Sequence, residues 1–383
     1  MSKPVLLIPR EVVDRDQRVA VVPEHVPMLV RLGFSVHVEK GAGVAASYED
    51  GAYREHGANL VPSAESVYGK AQVVVWVRVP GSGLDDVPFP SLGSGCCVLG
   101  LFQPSSQRVL KACRGKPLYA FALERMARIT RAQSMDVLSS QSNLAGYGAV
   151  IAAAYHSKQL MPMLMTAAGS IVPARCLVIG AGVAGLQAIA TARRLGGLVS
   201  AIDVRASSKQ QVESLGATFL EPEDSAQTDF ETAQGYAKEI GSDYQKKQTK
   251  LLEEVLPRQD IVITSALIPD KPAPRILTEA LVKRMKPGAI IVDLAAEAGG
   301  NCPLSKPYQT INHHGVTIIG AASLAAQWPK DASRLFSRNV CDFLSLLFAD
   351  NPQADISRIP WDDDIITSTL AVKNGEPISR TLS

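Results

Sequence analysis

Short apolar runs alternate with helix-period stretches along most of the chain. The runs "PVLLIP", "FSVHVEKG", "QVVVWVRVP", "CCVLGLF" and "PLYAFAL" have the length and the β-branched, apolar content of strands. Between the first two, "PEHVPMLVRLG" predicts a helix that ends at Gly33. These elements make one α/β unit, roughly residues 1 to 138. After Ser139, "SQSNLAGYGAVIAAAYHSKQ" predicts a long helix with a face of small residues, which links two domains. A second series follows: "CLVIG", "VSAIDV", "ATFLEP", "DIVITSAL", "AIIVDLA" and "VTIIGAA". Helical patterns separate most of these strands, which predicts a parallel sheet with right-handed crossovers. Trp328 to Leu347 reads as helix again and returns to the first domain. "DYQKKQTKLLEE" is a charge run of the kind carried by a solvated helix face.

The expected fold is therefore α/β, with two Rossmann-like doubly wound parallel-sheet domains joined by long helices. Residues 1–138 with about 328–383 form a discontinuous N-terminal domain, and residues 139–327 form the second. The length of 383 residues suits two domains, each with a core of its own. A formal net charge of +2 argues against a broad nucleic-acid face. The six cysteines show no CxxC pair and no Cys/His spacing that suits zinc, so no metal is expected, and they read as reduced thiols. The N-terminus, "MSKPVLLIPREVVDRDQR", turns charged too early for a signal peptide. No window reaches the ~18 apolar residues that span a bilayer, so direct membrane insertion is not expected.

The clearest chemistry lies in "CLVIGAGVAGLQAIATARRLGGLVSAIDVR". Gly180, Gly182 and Gly185 form GxGxxG between a strand and a helix, and Asp203 ends the next strand. A lone GxGxxG is weak; one inside a full βαβ unit with an acid at this distance is strong. Gly180 permits the tight turn, Gly182 lets a pyrophosphate approach the backbone, and Gly185 lets the helix pack against the sheet. The helix N-terminus offers N–H groups and a positive dipole end to phosphates. Asp203 can accept from both ribose hydroxyls and would repel a 2′-phosphate, so NAD(H) is expected over NADP(H). Arg205 either counters Asp203 or is a solvated surface residue.

A second stretch, "RITRAQSMDVLSSQSNLAGY", crowds Arg128, Arg131, Gln133, Asp136 and Ser139 into about three helical turns without a His, Cys or Lys. On its residues alone it is either a working surface that moves no proton or a capped helix start. With "GAGVAGLQAIATARRLG", "IDVRASSKQQVESLGA", "GYAKEIG", "ITSALIP" and "MKPGAIIVDLAAEAGGNCPLS", it resembles, over nearly the full length, the NAD(H)-binding alpha subunit (domain I) of proton-translocating NAD(P)+ transhydrogenase. That family is similar in fold to alanine dehydrogenase, and the N-terminal domain is accordingly of the alanine dehydrogenase/PNT type.

The resemblance implies direct hydride transfer between NADH and NADP⁺, coupled to proton translocation by membrane subunits. The NADP(H) is held by a partner subunit, and a separate membrane-spanning subunit is implied. It implies a cytoplasmic homodimer, peripheral on the inner membrane through those partners. It places Arg128, Gln133, Asp136 and Ser139 around the nicotinamide as the catalytic set. It lines the nucleotide with Ile129, Met135, Ala181, Val183, Val204, Arg205, Gly235, Gln248 and Leu267 besides the glycines and Asp203, and makes "TAQGYAKEIGSDYQKKQ" a lid with Tyr236 near its tip. Hydride transfer removes no substrate proton and needs placement of two rings, which fits the missing His and Lys.

The rival readings are an alanine dehydrogenase-like amino-acid oxidoreductase and a non-catalytic NAD(H)-binding module. At the positions that resemble the dehydrogenase's Lys and His stand Arg78 in "VWVRVP" and Gln103 in "LGLFQPSS"; only Arg18 in "DQRVAVVP" remains. Gln is no general base and Arg is not deprotonated, so amino-acid oxidation loses its proton machinery. Two departures from the family pattern stand out: Ala325, Ala326 and Gln327 replace its usual P-S-R, and Gly148 follows Tyr147 where a basic residue is common.

Overall fold

The computed structural model describes residues 3–12, 16–81, 91–102, 106–222, 241–268 and 271–378. The chain divides into two compact units. One comprises Met1–Gln141 and Ala325–Ser383, the other Ser142–Leu324. In the first unit lie β1 (Val5–Ile8), β2 (Ser35–Glu39), β3 (Asn59–Val61), β4 (Ala71–Arg78), β5 (Cys97–Leu101) and β6 (Tyr119–Ala122). In the second lie β7 (Leu164–Thr166), β8 (Gly169–Ile171), β9 (Arg175–Ile179), β10 (Leu198–Ile202), β11 (Thr218–Phe219), β12 (Ile261–Thr264), β13 (Ile290–Asp293), β14 (Thr310–His313) and β15 (Val316–Gly320). β16 (Leu370–Lys373) and β17 (Glu376–Pro377) belong to the first unit again.

The first unit's sheet has the order β17-β16-β6-β5-β4-β1-β2-β3, parallel except where β16 pairs β6 and β17. β4 shows why its sequence is a continuous apolar run. Val73, Val75 and Val77 face one core, Val74 and Trp76 the other, so both faces are covered. The helix Pro329–Phe348 supplies Phe336, Val340, Phe343, Leu344 and Leu347 to the first of these cores. Phe343 meets Phe121 edge-on at 5.7 Å and Phe348 meets Phe34 at 5.4 Å. Each such buried side chain stabilises the fold by about 1.5–3 kcal/mol.

The second unit's sheet has the order β11-β10-β9-β12-β13-β15-β14, parallel except for the edge pair β14–β15. Here Val178 packs on one face while Leu177 and Ile179 pack on the other. The strand order runs outward in both directions from β9, toward β10 on one side and β12 on the other. That is the switch point at which such sheets open a crevice at their carboxyl ends. Both sheets are thus doubly wound α/β, as the apolar pattern indicates. The antiparallel edge strands and the hairpin β7–β8 were not legible in it. β7 and β8 are three residues each and exposed throughout, so no alternation marks them. The helix expected over "PEHVPMLVRLG" is a 3₁₀ turn, Pro23–His25, followed by the α-helix Val26–Arg31, with Gly33 at φ +102° beyond it. No helix among the described residues is long and apolar enough to cross a membrane.

Candidate nucleotide-binding site

The glycine loop lies at the carboxyl end of β9 and leads into the helix Val183–Arg194. Gly180 adopts φ +95°, a turn that L side chains resist. A Cβ there would come within 3.0 Å of Ala266 N and Ser265 Oγ. A Cβ on Gly185 would lie 1.8 Å from the Gly180 carbonyl oxygen, so the helix could not sit this close with any other residue. Gly182 differs: an added Cβ would meet no protein atom within 4 Å, and its backbone is ordinary extended chain (φ −74°, ψ −169°). The fold therefore needs Gly180 and Gly185 but not Gly182. Gly182 is the N-cap of the helix, and no side chain caps the N–H groups behind it. A bare, uncapped helix start beside a glycine whose open side faces no protein atom fits a phosphate group.

Asp203 follows β10 and is bound to this loop. Its Oδ2 accepts from Ala181 N at 2.6 Å and from Arg205 Nη2 at 2.9 Å, and its Oδ1 accepts from Arg205 N and Nε, each at 2.9 Å. Arg205 therefore counters Asp203; its side chain is largely buried and is not a solvated surface group. Val204 lies between them, half-buried. Behind the loop, Ser265 Oγ donates to Gly180 O at 2.9 Å, and the buried Asn301 clasps Ala266 through its N–H (3.0 Å) and its carbonyl (2.9 Å). Leu267, next along, is exposed. Gln248 is buried with Tyr244 and Leu252 on the inward face of the helix Ser242–Val255, the charge run of the sequence. Burial, then the charge of Asp203, push the Tyr244 hydroxyl up to about 12, so it stays neutral. Ser265, Asn301 and Tyr244 shape this site and were not singled out from the sequence, although Ser265 sits in "ITSALIP" at the end of β12. Gly235 and Tyr236, with most of the expected lid, lie outside the described residues.

In the first unit, the stretch from Arg128 forms the 3₁₀ helix Thr130–Met135 and then the helix Val137–His156. Asp136 stands at the junction. Its carboxylate accepts from Ser139 N at 3.0 Å and from Ser139 Oγ at 2.5 Å, which is a helix cap. Ala132 and Met135 are buried in the unit's core, so Met135 has its side chain turned inward. Arg128, Ile129 and Gln133 are exposed on the outer side of the same turns. The loop is held by Asn339, which donates to Ser134 O and accepts from Ser140 Oγ, both at 2.7 Å, and by the ion pair of Arg131 with Asp363 at 2.7 Å. The two readings of this stretch are thus compatible: Asp136 and Ser139 cap a helix, and that cap fixes the turn from which Arg128 and Gln133 project.

Of the three positions compared with alanine dehydrogenase, Gln103 lies outside the described residues. Arg18 is buried, paired bidentately with Asp16 at 2.6 and 2.9 Å, and donates to Gln141 Oε1 at 2.7 Å. Gln141 in turn donates to Ala332 O at 3.1 Å. Arg18 is therefore a structural tie among three segments of the first unit. Arg78 is buried, and its backbone N–H and that of Val77 donate to Glu11. Ala325, Ala326 and Gln327 form a 3₁₀ turn with Leu324, where the chain passes from the second unit into the first.

Comparison with known proteins places this architecture. Residues 7–145 match the alanine dehydrogenase/PNT N-terminal domain and residues 149–380 the alanine dehydrogenase/PNT C-terminal domain. The chain belongs to the alanine dehydrogenase/PNT family. Within that family it is 46% identical to an NAD(P) transhydrogenase subunit alpha chain of Rhodospirillum rubrum, over 99% of this chain and 98% of that one. Its fold superimposes on a crystal structure of transhydrogenase from Sinorhizobium meliloti with a TM-score of 0.85, at 40% identity, covering 98% and 100% of the two chains. An L-alanine dehydrogenase structure shares the fold at a TM-score of 0.77 and 21% identity, over 98% and 96% of the chains.

Proposed function

We propose that the chain binds NAD(H) and serves as the NAD(H)-binding component of a proton-translocating transhydrogenase. The observation that carries the nucleotide reading is Gly182. It is the one glycine of the fingerprint that no protein atom requires, and it stands at an uncapped helix start. Asp203 and Arg205 would meet the adenosine ribose, with Gln248 and Leu267 on the same side. Arg205 already fills the acceptor positions of Asp203, so ribose hydroxyls reach that carboxylate only as Arg205 gives them up.

Arg128 and Gln133 are the donors that would position the nicotinamide, and Asp136 and Ser139 are positioning residues that act through the helix cap. Bound NADH supplies a hydride and its electron pair; the acceptor is the nicotinamide of NADP⁺ held by another subunit. The chain's own part is binding, orientation and exclusion of water, since no proton leaves a substrate. Regarding assembly, we read the chain as cytoplasmic, on the inner membrane through a membrane-spanning partner, and as a homodimer. The hairpin β7–β8 supports the dimer: Met163, Met165 and Val172 are 61%, 80% and 70% exposed, a cluster of apolar side chains that a second copy would cover.

Stopped-flow transfer between NADH and an NADP⁺ analogue, with the NADP(H)-binding partner added, tests the reading. Transfer is expected only with the partner, and none is expected with pyruvate and ammonium as acceptors. Alanine formation by the single chain would overturn the assignment.

A further inference from the structure

The turn between β14 and β15 carries two consecutive histidines, and the nucleotide site uses neither. His314 and Gly315 are the two-residue connection, with φ of +49° and +78°. A hairpin turn of type I′ needs positive φ at both positions. For His314, an L residue with a Cβ, this is an uncommon conformation. It brings the two imidazoles together, their ring centres 4.4 Å apart and their planes at 84°. Glu279, the first residue of the short helix Glu279–Val282, reaches the pair from another segment of the second unit, with Oε1 3.3 Å from His313 Nε2. One ligand atom from each of the three side chains lies within 4.8 Å of the others. His313 Nε2 is shielded from solvent and makes no hydrogen bond of ordinary geometry. A buried polar atom without a directed partner calls for an explanation.

We propose that Glu279, His313 and His314 bind a divalent transition-metal ion of the class of Zn²⁺, Ni²⁺ or Cu²⁺. Two imidazoles and one carboxylate suit these ions, whereas Mg²⁺ and Ca²⁺ favour oxygen ligands. Three protein ligands leave a further position for water or another donor. Thiolates do not compete, because all six cysteines are buried. Among the described residues, no other set of three or more His, Cys, Asp or Glu side chains is gathered this way. Spacing along the sequence gave no sign of the site, since the carboxylate comes from a distant helix. Lys283 completes the picture. Its Nζ lies 2.8 Å from Glu279 Oε1, so it neutralises the carboxylate in the metal-free chain. A metal ion must displace it, and Lys283 therefore weakens the site.

Calorimetric titration of the full chain with ZnCl₂ tests this, with NADH binding as a control for folding. One ion per chain is expected. Loss of a ligand costs at least the roughly tenfold typical of disturbing a metal's surroundings, so Glu279→Gln and His314→Asn should each weaken binding by about tenfold or more. Asn accepts the left-handed conformation, which keeps the turn intact in the second variant. Lys283→Gln should tighten binding. No zinc bound by the unmodified chain, or an affinity unchanged in both ligand variants, would overturn the proposal.

Discussion

The three glycines of the fingerprint answer to different neighbours, and substitution separates them. Alanine at 185 would drive a methyl group into the Gly180 carbonyl. Overpacking of that kind costs about 1–3 kcal/mol or more, so Gly185→Ala should lower the melting temperature by at least about 3 °C. Gly182→Ala meets open space and an allowed backbone; it should leave the melting temperature unchanged and weaken NADH binding. Thermal melts and NADH titrations on the two variants check this, and equal effects on both readouts would remove the distinction. Asp203→Ala loses a charged acceptor that also holds Ala181. Hydrogen bonds of that kind are worth about 1.5–3 kcal/mol, so NADH affinity should fall roughly tenfold to a hundredfold by calorimetry. The spacing from Gly185 to Asp203 was legible because a βαβ unit fixes it. The closure of Asp203 by Arg205 was not, because it depends on a side-chain orientation that spacing does not encode.

Between residues and domains, the element that matters most is the turn Thr130–Met135 with the helix start behind it. Two buried-side anchors hold it: the Asp136–Ser139 cap and Asn339. Asp136→Ala removes a helix cap and should cost about 0.5–2 kcal/mol of stability. Asn339→Ala leaves Ser134 O and Ser140 Oγ without their partner, at about 1–3 kcal/mol. In both variants hydride transfer should fall by a larger factor than NADH affinity, because a misplacement of ~1 Å in the reacting carbon can cost about a hundredfold. Denaturation together with stopped-flow transfer measures the split; parallel losses would show that the turn only supports the fold. The interior parallel strands were legible as continuous apolar runs. β14, β16 and β17 were not, since edge strands bury less, and short, partly polar segments look like loops.

The whole molecule carries its ionic strain in the first unit. Burial, followed by the charge of Asp16, raises Glu11 to about 8 from its ordinary 4.5, against the pull of the Val77 and Arg78 N–H groups. Burial also works against Asp16, but the Arg18 guanidinium outweighs it and holds that carboxyl below its usual range. The signs are opposite. Glu11 binds its proton more tightly in the folded chain, so its contribution is complete below about pH 4.5 and is lost as pH rises through about 8. Asp16 contributes above its unfolded pKa of 3.8, and that contribution is lost as pH falls through its lower folded value. Melting temperature should therefore decline from about pH 6 to pH 9, and Glu11→Gln should flatten the decline. An unaltered slope in that variant would place its origin elsewhere. At this scale the alternation of strand and helix made the α/β class readable, whereas the buried Glu11–Asp16–Arg18 cluster looked like an ordinary charged N-terminal segment.

The hairpin β7–β8 also makes the chain chemically vulnerable in one place. Thioether sulfur takes up oxygen from peroxides where it is accessible, and the sulfoxide is polar. Met163 and Met165 stand open, while Met126, Met135, Met161 and Met285 are buried. Mild peroxide should therefore mark the hairpin first, which mass spectrometry of the digested chain would read. If a second copy covers those sulfurs, their oxidation should slow as protein concentration rises, and oxidised chains should no longer associate. The two methionines are then a built-in footprint of self-assembly and the point at which oxidative damage would undo it.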